Sequence, residues 1–330
     1  MKLRLGVVGV GTAWDSRHLP ALRALSDRFE VCGVCDSVQH RAEYASRQFD
    51  TVVHDGFRAL TNRQDIDAVL LLSADFYGDT PIHAACDAGK AVYCAAAIDL
   101  QDEEASALRQ RVEQSGIAFM AEFPCRLSPA TLRLKELLAT KLGAPRLLFS
   151  NRRRTSAVTN NGNGQNSQRD LVELIDWCRY IVESEPTSLT ATSHRSADGQ
   201  HDEYASLNLD FSAAEEIGTG PMAVIGCGDY VPDGLKESLS YRRPADLKVV
   251  CEHGIAFVDL PSTIAWFDEA GQHLETLDHE RPVGELMLIH FHRAVESLVL
   301  KSSSLEDAHR AILIANQARL SCQQGKRVSC

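Results

Sequence analysis

An α/β fold in two domains, a doubly wound parallel sheet followed by an α+β domain with a mostly antiparallel open sheet, is predicted by three features of the chain. From Leu3 to Ala121, short apolar runs alternate with amphipathic stretches, the pattern of a parallel sheet covered on both faces. The first of those runs leads directly into the turn Gly9-Val10-Gly11. Beyond Pro124 strand-like alternations predominate and helices become few. A length of 330 residues suits two cores better than one.

In the first domain, strands are expected at Leu3–Val8, Glu30–Cys35, Ala68–Leu72, Ala91–Cys94 and Ile117–Ala121. Helices are expected between them, at Leu19–Leu25, Gln39–Gln48, Phe57–Thr61, Pro81–Ala88 and Glu103–Glu113, with short connections. Asp79-Thr80-Pro81 supplies a capping residue and an early proline for one helix, and Gly89 closes it. The second domain opens with a helix at Ala130–Lys141 and a strand at Arg146–Ser150. The polar segment Thr159–Arg169 has too little apolar surface to pack and reads as a mobile loop. A helix from Asp170 to Glu183 follows, then strands including Ala205–Phe211, Met222–Gly226, Leu247–Cys251 and Ile255–Leu260, and a last helix, Leu305–Ser321, that ends near Gly325.

Composition narrows the function classes. Apolar residues make up 44% and charged residues 24%, which is ordinary for a globular protein. The net charge of −11 argues against a nucleic-acid-binding surface. Arg152-Arg153-Arg154 is the one tight basic run, read as a solvated strand end or a salt-bridged edge. No segment reaches the roughly 18 to 20 apolar residues of a membrane span. Nothing at the start resembles a signal peptide, so a cytoplasmic protein is expected. The ten cysteines are scattered through apolar runs, as buried thiols in a reducing compartment would be. Cys32 and Cys35 are three apart in an expected strand, so their thiols diverge, and no metal site is expected.

Gly9-Val10-Gly11-Thr12-Ala13-Trp14 follows the first strand and precedes a helix, the context a dinucleotide fingerprint requires. Gly9 makes the tight turn, and Gly11 lets the backbone N–H groups of the loop, Thr12 and Ala13 included, approach a pyrophosphate. Trp14 stands where a third glycine is often found. Asp36 ends the second strand, 25 residues after Gly11, where a carboxylate accepts hydrogen bonds from an adenosine ribose and repels a 2′-phosphate. NAD is therefore the expected cofactor, with NADP left open because Arg41 lies nearby, and Ser73 completes the candidate binding set. The boundaries are set at 1–123 for a Rossmann dinucleotide-binding domain and at 124–330 for a substrate and oligomerisation domain. The last helix is free to pack back on the first domain.

The chain resembles the glucose–fructose oxidoreductase, inositol dehydrogenase and rhizopine catabolism family, Gfo/Idh/MocA, over nearly its whole length. The resemblance rests on colinear short motifs. They are Gly6-Val7-Val8-Gly9-Val10-Gly11 leading to His18-Leu19-Pro20-Ala21-Leu22, Val34-Cys35-Asp36 with Arg41-Ala42, and Ile66-Asp67-Ala68-Val69. Ala88-Gly89-Lys90, Val92-Tyr93-Cys94, Arg126-Leu127-Ser128-Pro129 and the tail from Glu306-Asp307-Ala308 to Gly325-Lys326-Arg327-Val328 continue the series. The resemblance implies NAD(P)-dependent hydride transfer at a hydroxyl or carbonyl carbon of a sugar- or cyclitol-like small molecule. It also implies a homodimer or homotetramer formed through the open sheet.

The departures concentrate where the family does its chemistry. The resemblance places the family Glu-Lys-Pro at Ala95-Ala96-Ala97, so an alanine methyl replaces the lysine that handles the reacting hydroxyl. The Thr-Pro-Asn-His-x-His segment becomes Ser73-Ala74-Asp75-Phe76-Tyr77-Gly78. The histidine and the aspartate three residues later become Glu173 and Asp176, which share a helix face and are the candidate catalytic pair. Arg179 is the competing partner for Asp176 in an ion-paired helix face. Tyr93, Tyr77, Glu122 and Arg126 are further polar candidates, of which Tyr77 and Arg126 are expected within reach of nicotinamide or substrate. His18 is expected to fix the first helix. The competing reading is a catalytically degenerate nucleotide- or ligand-binding homologue with a regulatory or scaffold role.

Overall fold

The computed structural model describes residues 1–95, 100–156, 164–195, 202–213, 216, 218–297 and 304–330. They form two compact units, Met1–Pro124 with Arg281–Arg310 and Cys125–Glu280 with Ala311–Cys330. Arg281–Arg310, expected in the second domain, thus groups with the first.

The first unit is built on six strands, β1 (Leu3–Val8), β2 (Phe29–Cys35), β3 (Val52–Val53), β4 (Ala68–Leu71), β5 (Ala91–Cys94) and β6 (Phe119–Ala121). All pair in parallel, in the order β3-β2-β1-β4-β5-β6. This order reverses between β1 and β4, and ligands of such sheets bind beyond the carboxyl ends of the strands at that switch point. Leu5, Val7, Val34 and Leu71 are wholly buried, as a sheet covered on both faces demands. The helices α1 (Leu19–Ala24), α2 (Gln39–Arg47), α3 (Phe57–Thr61), α4 (Thr80–Asp87) and α5 (Asp102–Ser115) fall close to the expected segments. A capping box between Gln101 and Glu104 starts α5, and Gly116 ends it with φ of 68°. Asp79 does not cap α4, contrary to expectation; its carboxylate pairs with His83 one turn on, at 3.1 Å.

At the start of the second unit lie α6 (Pro124–Leu127), whose first residue still belongs to the first unit, and α7 (Pro129–Leu137), the latter capped by the Ser128 hydroxyl, which accepts from the Thr131 N–H. Next come β7 (Pro145–Ser156), α8 (Gly164–Val182), β8 (Ser188–Arg195), β9 (Asp202–Asp210), β10 (Met222–Pro232), β11 (Leu247–Cys251), β12 (Ile255–Asp259), β13 (Thr263–Asp268) and β14 (Gly271–Thr276). In the first unit α9 (Val283–Glu296) follows. Then α10 (Ser304–Gln324) begins in the first unit and continues into the second, which ends with β15 (Val328–Ser329). The sheet runs β14-β13-β12-β11-β7-β10-β9-β8-β15, antiparallel throughout except where β7 meets β10. The expected mobile loop at Thr159–Arg169 is overturned in part. Residues from Gly164 onward form the first turns of α8, while 159–163 lie outside the described residues.

Alternation along the strands sorts two faces. Leu148, Ile225, Leu207 and Val249 are fully or almost fully buried on the face that meets α7 and α8, whose Leu134, Ile175 and Trp177 fill the same core. The opposite face carries Phe149, Lys248 and Phe257 in register, with the Lys248 ammonium 5.4 Å and 5.8 Å from the two ring centres. Phe267, 42% exposed, meets Phe257 edge to face.

Candidate functional site

Two clusters of functional residues stand out, one in each unit. The first lies beyond the carboxyl ends of β1, β2 and β4. Gly9 turns the chain with φ of +71°, and a Cβ there would sit 2.5 Å from the Ser73 carbonyl oxygen. At Gly11 a Cβ would come within 2.2 Å of the Leu72 carbonyl oxygen, so only glycine fits. Among the described residues no hydrogen bond uses the N–H groups of Gly11, Thr12 or Ala13. A tight turn with three uncommitted N–H donors is chemically suited to a pyrophosphate.

Asp36 is pinned at the end of β2. One carboxylate oxygen accepts from the Val10 N–H at 2.6 Å and the other from the Val38 N–H at 2.7 Å. A carboxylate has more lone pairs than these two bonds use, which leaves acceptor capacity for a ribose diol. Arg41 is exposed on the first turn of α2. Ser73 follows β4 and donates its hydroxyl to Asp75 at 3.1 Å. The residues present therefore fit a dinucleotide.

Trp14, in the place of a third glycine, changes the entry to the first helix. Its side chain is 1% exposed and packs edge to face on Phe49. Residues Trp14–His18 form a wide helical turn, and the regular helix begins only at Leu19. His18, at the end of that turn, bonds the buried Glu122 carboxylate through Nε2 at 2.9 Å, and Arg17 pairs with the same carboxylate. Glu122 thereby ties β6 to the first helix. Tyr93 is core: it is fully buried, bonds Met287 Sδ and packs on Phe291. Tyr77 sits on the β2 side, with its hydroxyl 3.3 Å from Cys35 Sγ. Ala95 is buried, while Ala96 and Ala97 lie outside the described residues.

The second cluster belongs to β7, α6 and α8. Asp176 is wholly buried and held by two guanidinium groups. Arg126 donates Nε to Oδ2 at 2.6 Å and Nη2 to Oδ1, and Arg179 reaches Oδ1 from the same helix while also gripping Glu185. Three residues earlier, Glu173 accepts from Arg152 and from the Cys125 thiol at 3.3 Å. Arg152 also donates to Asp170 at 2.8 Å, and Arg154 meets the same carboxylate. Burial works to raise the Glu173 pKa, but the charge and hydrogen bond of Arg152 outweigh it and hold the carboxyl below its ordinary value. Glu173 is therefore a carboxylate at neutral pH. Burial pushes the Cys125 thiol up, so it stays protonated.

The sequence reading brings Glu173 and Asp176 to one helix, but their partners differ: Arg152 and Cys125 for the first, Arg126 and Arg179 for the second. The sequence places Arg152 in a basic run, read as a solvated strand end or a salt-bridged edge, and here it is salt-bridged to Asp170 and Glu173; Asp170 and Cys125 are not singled out as its partners. The alternation of β7 could have found Arg152, since a strand sends Arg152 and Arg154 to one face and Arg153 to the other. Among the described residues no cluster of His, Cys, Asp or Glu could hold a metal ion.

The parallel sheet of order 3-2-1-4-5-6, the glycine turn and the acidic residue ending β2 define a nicotinamide dinucleotide-binding α/β protein. Residues 3–123 match the family model described as "Oxidoreductase family, NAD-binding Rossmann fold", GFO_IDH_MocA. The match to this oxidoreductase family covers the first, dinucleotide-binding part of the chain. The chain is 28% identical over 149 residues to D-xylose 1-dehydrogenase (NADP(+)) 2 of Haloferax volcanii, covering 44% of each chain. To inositol 2-dehydrogenase of Rhizobium meliloti it is 26% identical over 233 residues, covering 68% of each. The match thus spans less than half the length of the xylose dehydrogenase. In fold it resembles the aldose-aldose oxidoreductase of Caulobacter crescentus, with a TM-score of 0.84 at 13% identity over the whole of both chains.

Proposed function

We propose that the protein is an NAD(P)-dependent oxidoreductase acting on a hydroxyl or carbonyl carbon of a sugar- or cyclitol-like small molecule. The close approach of Gly11 to the Leu72 carbonyl, beside three uncommitted N–H groups, carries this reading. Gly9, Gly11, Thr12 and Ala13 would hold the pyrophosphate. Asp36 would take the ribose diol, with Arg41 and Ser73 flanking it. The nicotinamide supplies or removes the hydride. D-xylose and inositol, named by the two relatives, set the first substrates to try.

Glu173 is the group we assign to proton transfer, because it is an ionised carboxylate and, unlike the wholly buried Asp176, keeps part of its side chain exposed. Asp176 acts beside it as a positioning group: it fixes Arg126 and anchors α8. This division replaces the symmetrical pair expected from spacing. It also supplies a basic group in a chain whose position for the family lysine is Ala96.

Titration calorimetry of NAD⁺, NADH and NADP⁺, followed by a panel of polyols and aldoses monitored by reduced-nicotinamide absorbance, tests the reading. Micromolar dinucleotide binding and turnover lost in Glu173→Gln are expected. Dinucleotide binding without turnover across the panel would transfer the protein to the non-catalytic class. No binding at all would remove the cofactor from the account.

Assembly as a homodimer or homotetramer through the open sheet face is supported by the half-exposed rings of Phe149, Phe257 and Phe267 there. A cytoplasmic location is supported by the ten free thiols. No described helix is long and apolar enough to cross a membrane.

A further inference from the structure

We infer that Phe76 and Tyr77 form an aromatic platform for the adenine ring of the dinucleotide, so that this chain anchors the adenosine half of the cofactor by stacking. The inference rests on the dinucleotide reading above and adds residues that reading does not use.

Three rings form a ladder beside the end of β2. Phe57, at the start of α3, meets Tyr77 edge to face with centroids 5.5 Å apart. Tyr77 meets Phe76 in the same way at 5.1 Å. The Tyr77 hydroxyl lies 3.3 Å from the thiol of Cys35, the residue preceding Asp36. The middle ring, Tyr77, therefore reaches the strand end that carries Asp36, and the ladder ends in Phe76, which is 75% exposed.

A single exposed phenylalanine needs no explanation. This one is presented on a braced loop. The Gly78 N–H bonds the Ala74 carbonyl at 2.8 Å, the Ser73 hydroxyl bonds Asp75, and Gly78 itself turns the chain with φ of +59°. The loop follows β4, on the carboxyl side of the sheet next to the strand reversal, so its rings and the Gly9–Gly11 turn lie at the same end of the strands. An adenine needs a flat apolar surface about one ring wide beside its ribose acceptor, and an aromatic side chain supplies it by stacking on the π-face of the base. At this point in the chain the family resemblance expects Thr-Pro-Asn-His-x-His, which offers no such ladder.

The test compares ligands with and without adenosine. ADP-ribose, NADH and reduced nicotinamide mononucleotide are titrated calorimetrically into the wild type, Phe76→Ala, Phe76→Tyr and Tyr77→Phe. Phe76→Ala should weaken ADP-ribose and NADH about tenfold, with no change for the mononucleotide, which lacks adenine. Phe76→Tyr and Tyr77→Phe keep their rings and should bind all three like the wild type. Equal binding of ADP-ribose by the wild type and Phe76→Ala overturns the platform while leaving the cofactor reading intact. A loss that extends equally to the mononucleotide also overturns it, since the effect is then on the loop and not on adenine. A wild type that binds neither ADP-ribose nor NADH overturns both readings, and calorimetry separates that case from the others at the first titration. Because Phe76 is exposed, its replacement leaves the fold in place, which unchanged thermal unfolding verifies.

Discussion

The glycine turn of the first unit and the charged cluster of the second are both built from a handful of residues, yet they hold themselves together in opposite ways. The turn works through the backbone. Gly9 and Gly11 are there because a Cβ would collide with the carbonyls of Ser73 and Leu72, and what the turn offers is N–H groups. The cluster works through side chains, in which three carboxylates and four guanidiniums from α6, β7 and α8 neutralise one another in a largely buried setting. Removing one member from each should separate the two modes: loss of a ligand without loss of fold in the first, loss of fold in the second.

The largest effect is expected at Asp176. Its carboxylate is wholly buried, and Asp176→Ala leaves Arg126 and Arg179 facing each other without it, which should destabilise the second unit by about 3–5 kcal/mol. Urea unfolding followed by tryptophan fluorescence, to which Trp177 and Trp266 of the second unit and Trp14 of the first contribute, measures this. A loss below about 1 kcal/mol would mean that water or neighbouring groups take over the pairing, and the contrast with the turn would collapse.

Gly11→Ala should behave in the other way. The new methyl has to displace the Leu72 carbonyl, a local overpacking of about 1–3 kcal/mol, and dinucleotide affinity should fall by roughly 5- to 150-fold. Calorimetry gives the affinity and thermal unfolding the cost to the fold. The comparison breaks if the unfolding temperature drops while affinity stays unchanged.

Asp36→Ser sharpens the cofactor half. The serine keeps a hydroxyl acceptor but removes the fixed negative charge that repels a 2′-phosphate, with Arg41 close by to meet one. NADH should bind about tenfold more weakly and NADPH more tightly, so the ratio of the two dissociation constants is the quantity to follow. An unchanged ratio would show that Asp36 serves the Val10 and Val38 N–H groups alone.

How much was legible follows the same division. The parallel sheet, its helices and the Gly9–Gly11 turn could be read because buried strands are continuous apolar runs and a crowded turn admits only glycine. Trp14 hid the wide turn at Trp14–His18, since no local propensity announces that shape. The helix Val283–Glu296 was missed because its central run, Leu286 to Ile289, is apolar without interruption and fits a strand as well as a helix. Gly164–Arg169 was read as loop from its polarity, although it continues a helix whose apolar stripe starts only at Leu171. In the cluster, the helix face of Glu173 and Asp176 was visible at i,i+3, but the partners were not. Arg126 is 50 residues from Asp176 and Arg152 is 21 from Glu173, and pairings across such separations are set by the sheet.

The smallest predicted effect concerns Glu173 and tests the cluster without dismantling it. Its pKa is held below the ordinary 4.5 because Arg152 outweighs the cost of burial. A carboxyl whose folded-state pKa is depressed contributes stability that is fully present above its unfolded value and is lost as the pH falls through the folded one. Glu173→Gln keeps the shape and removes the charge, so at neutral pH the variant should be the less stable protein. Below about pH 4.5 the gap should narrow as the wild-type carboxyl protonates. Unfolding midpoints of the two proteins between pH 7 and the onset of acid unfolding read this directly. No gap at neutral pH would mean that Arg152 is satisfied by Asp170 alone. Glu173 would then be free of the ion pair and a better proton acceptor than its surroundings indicate. In that case the same variant should lose turnover while keeping its stability, and the second cluster would resemble the first in giving up a ligand function without giving up the fold.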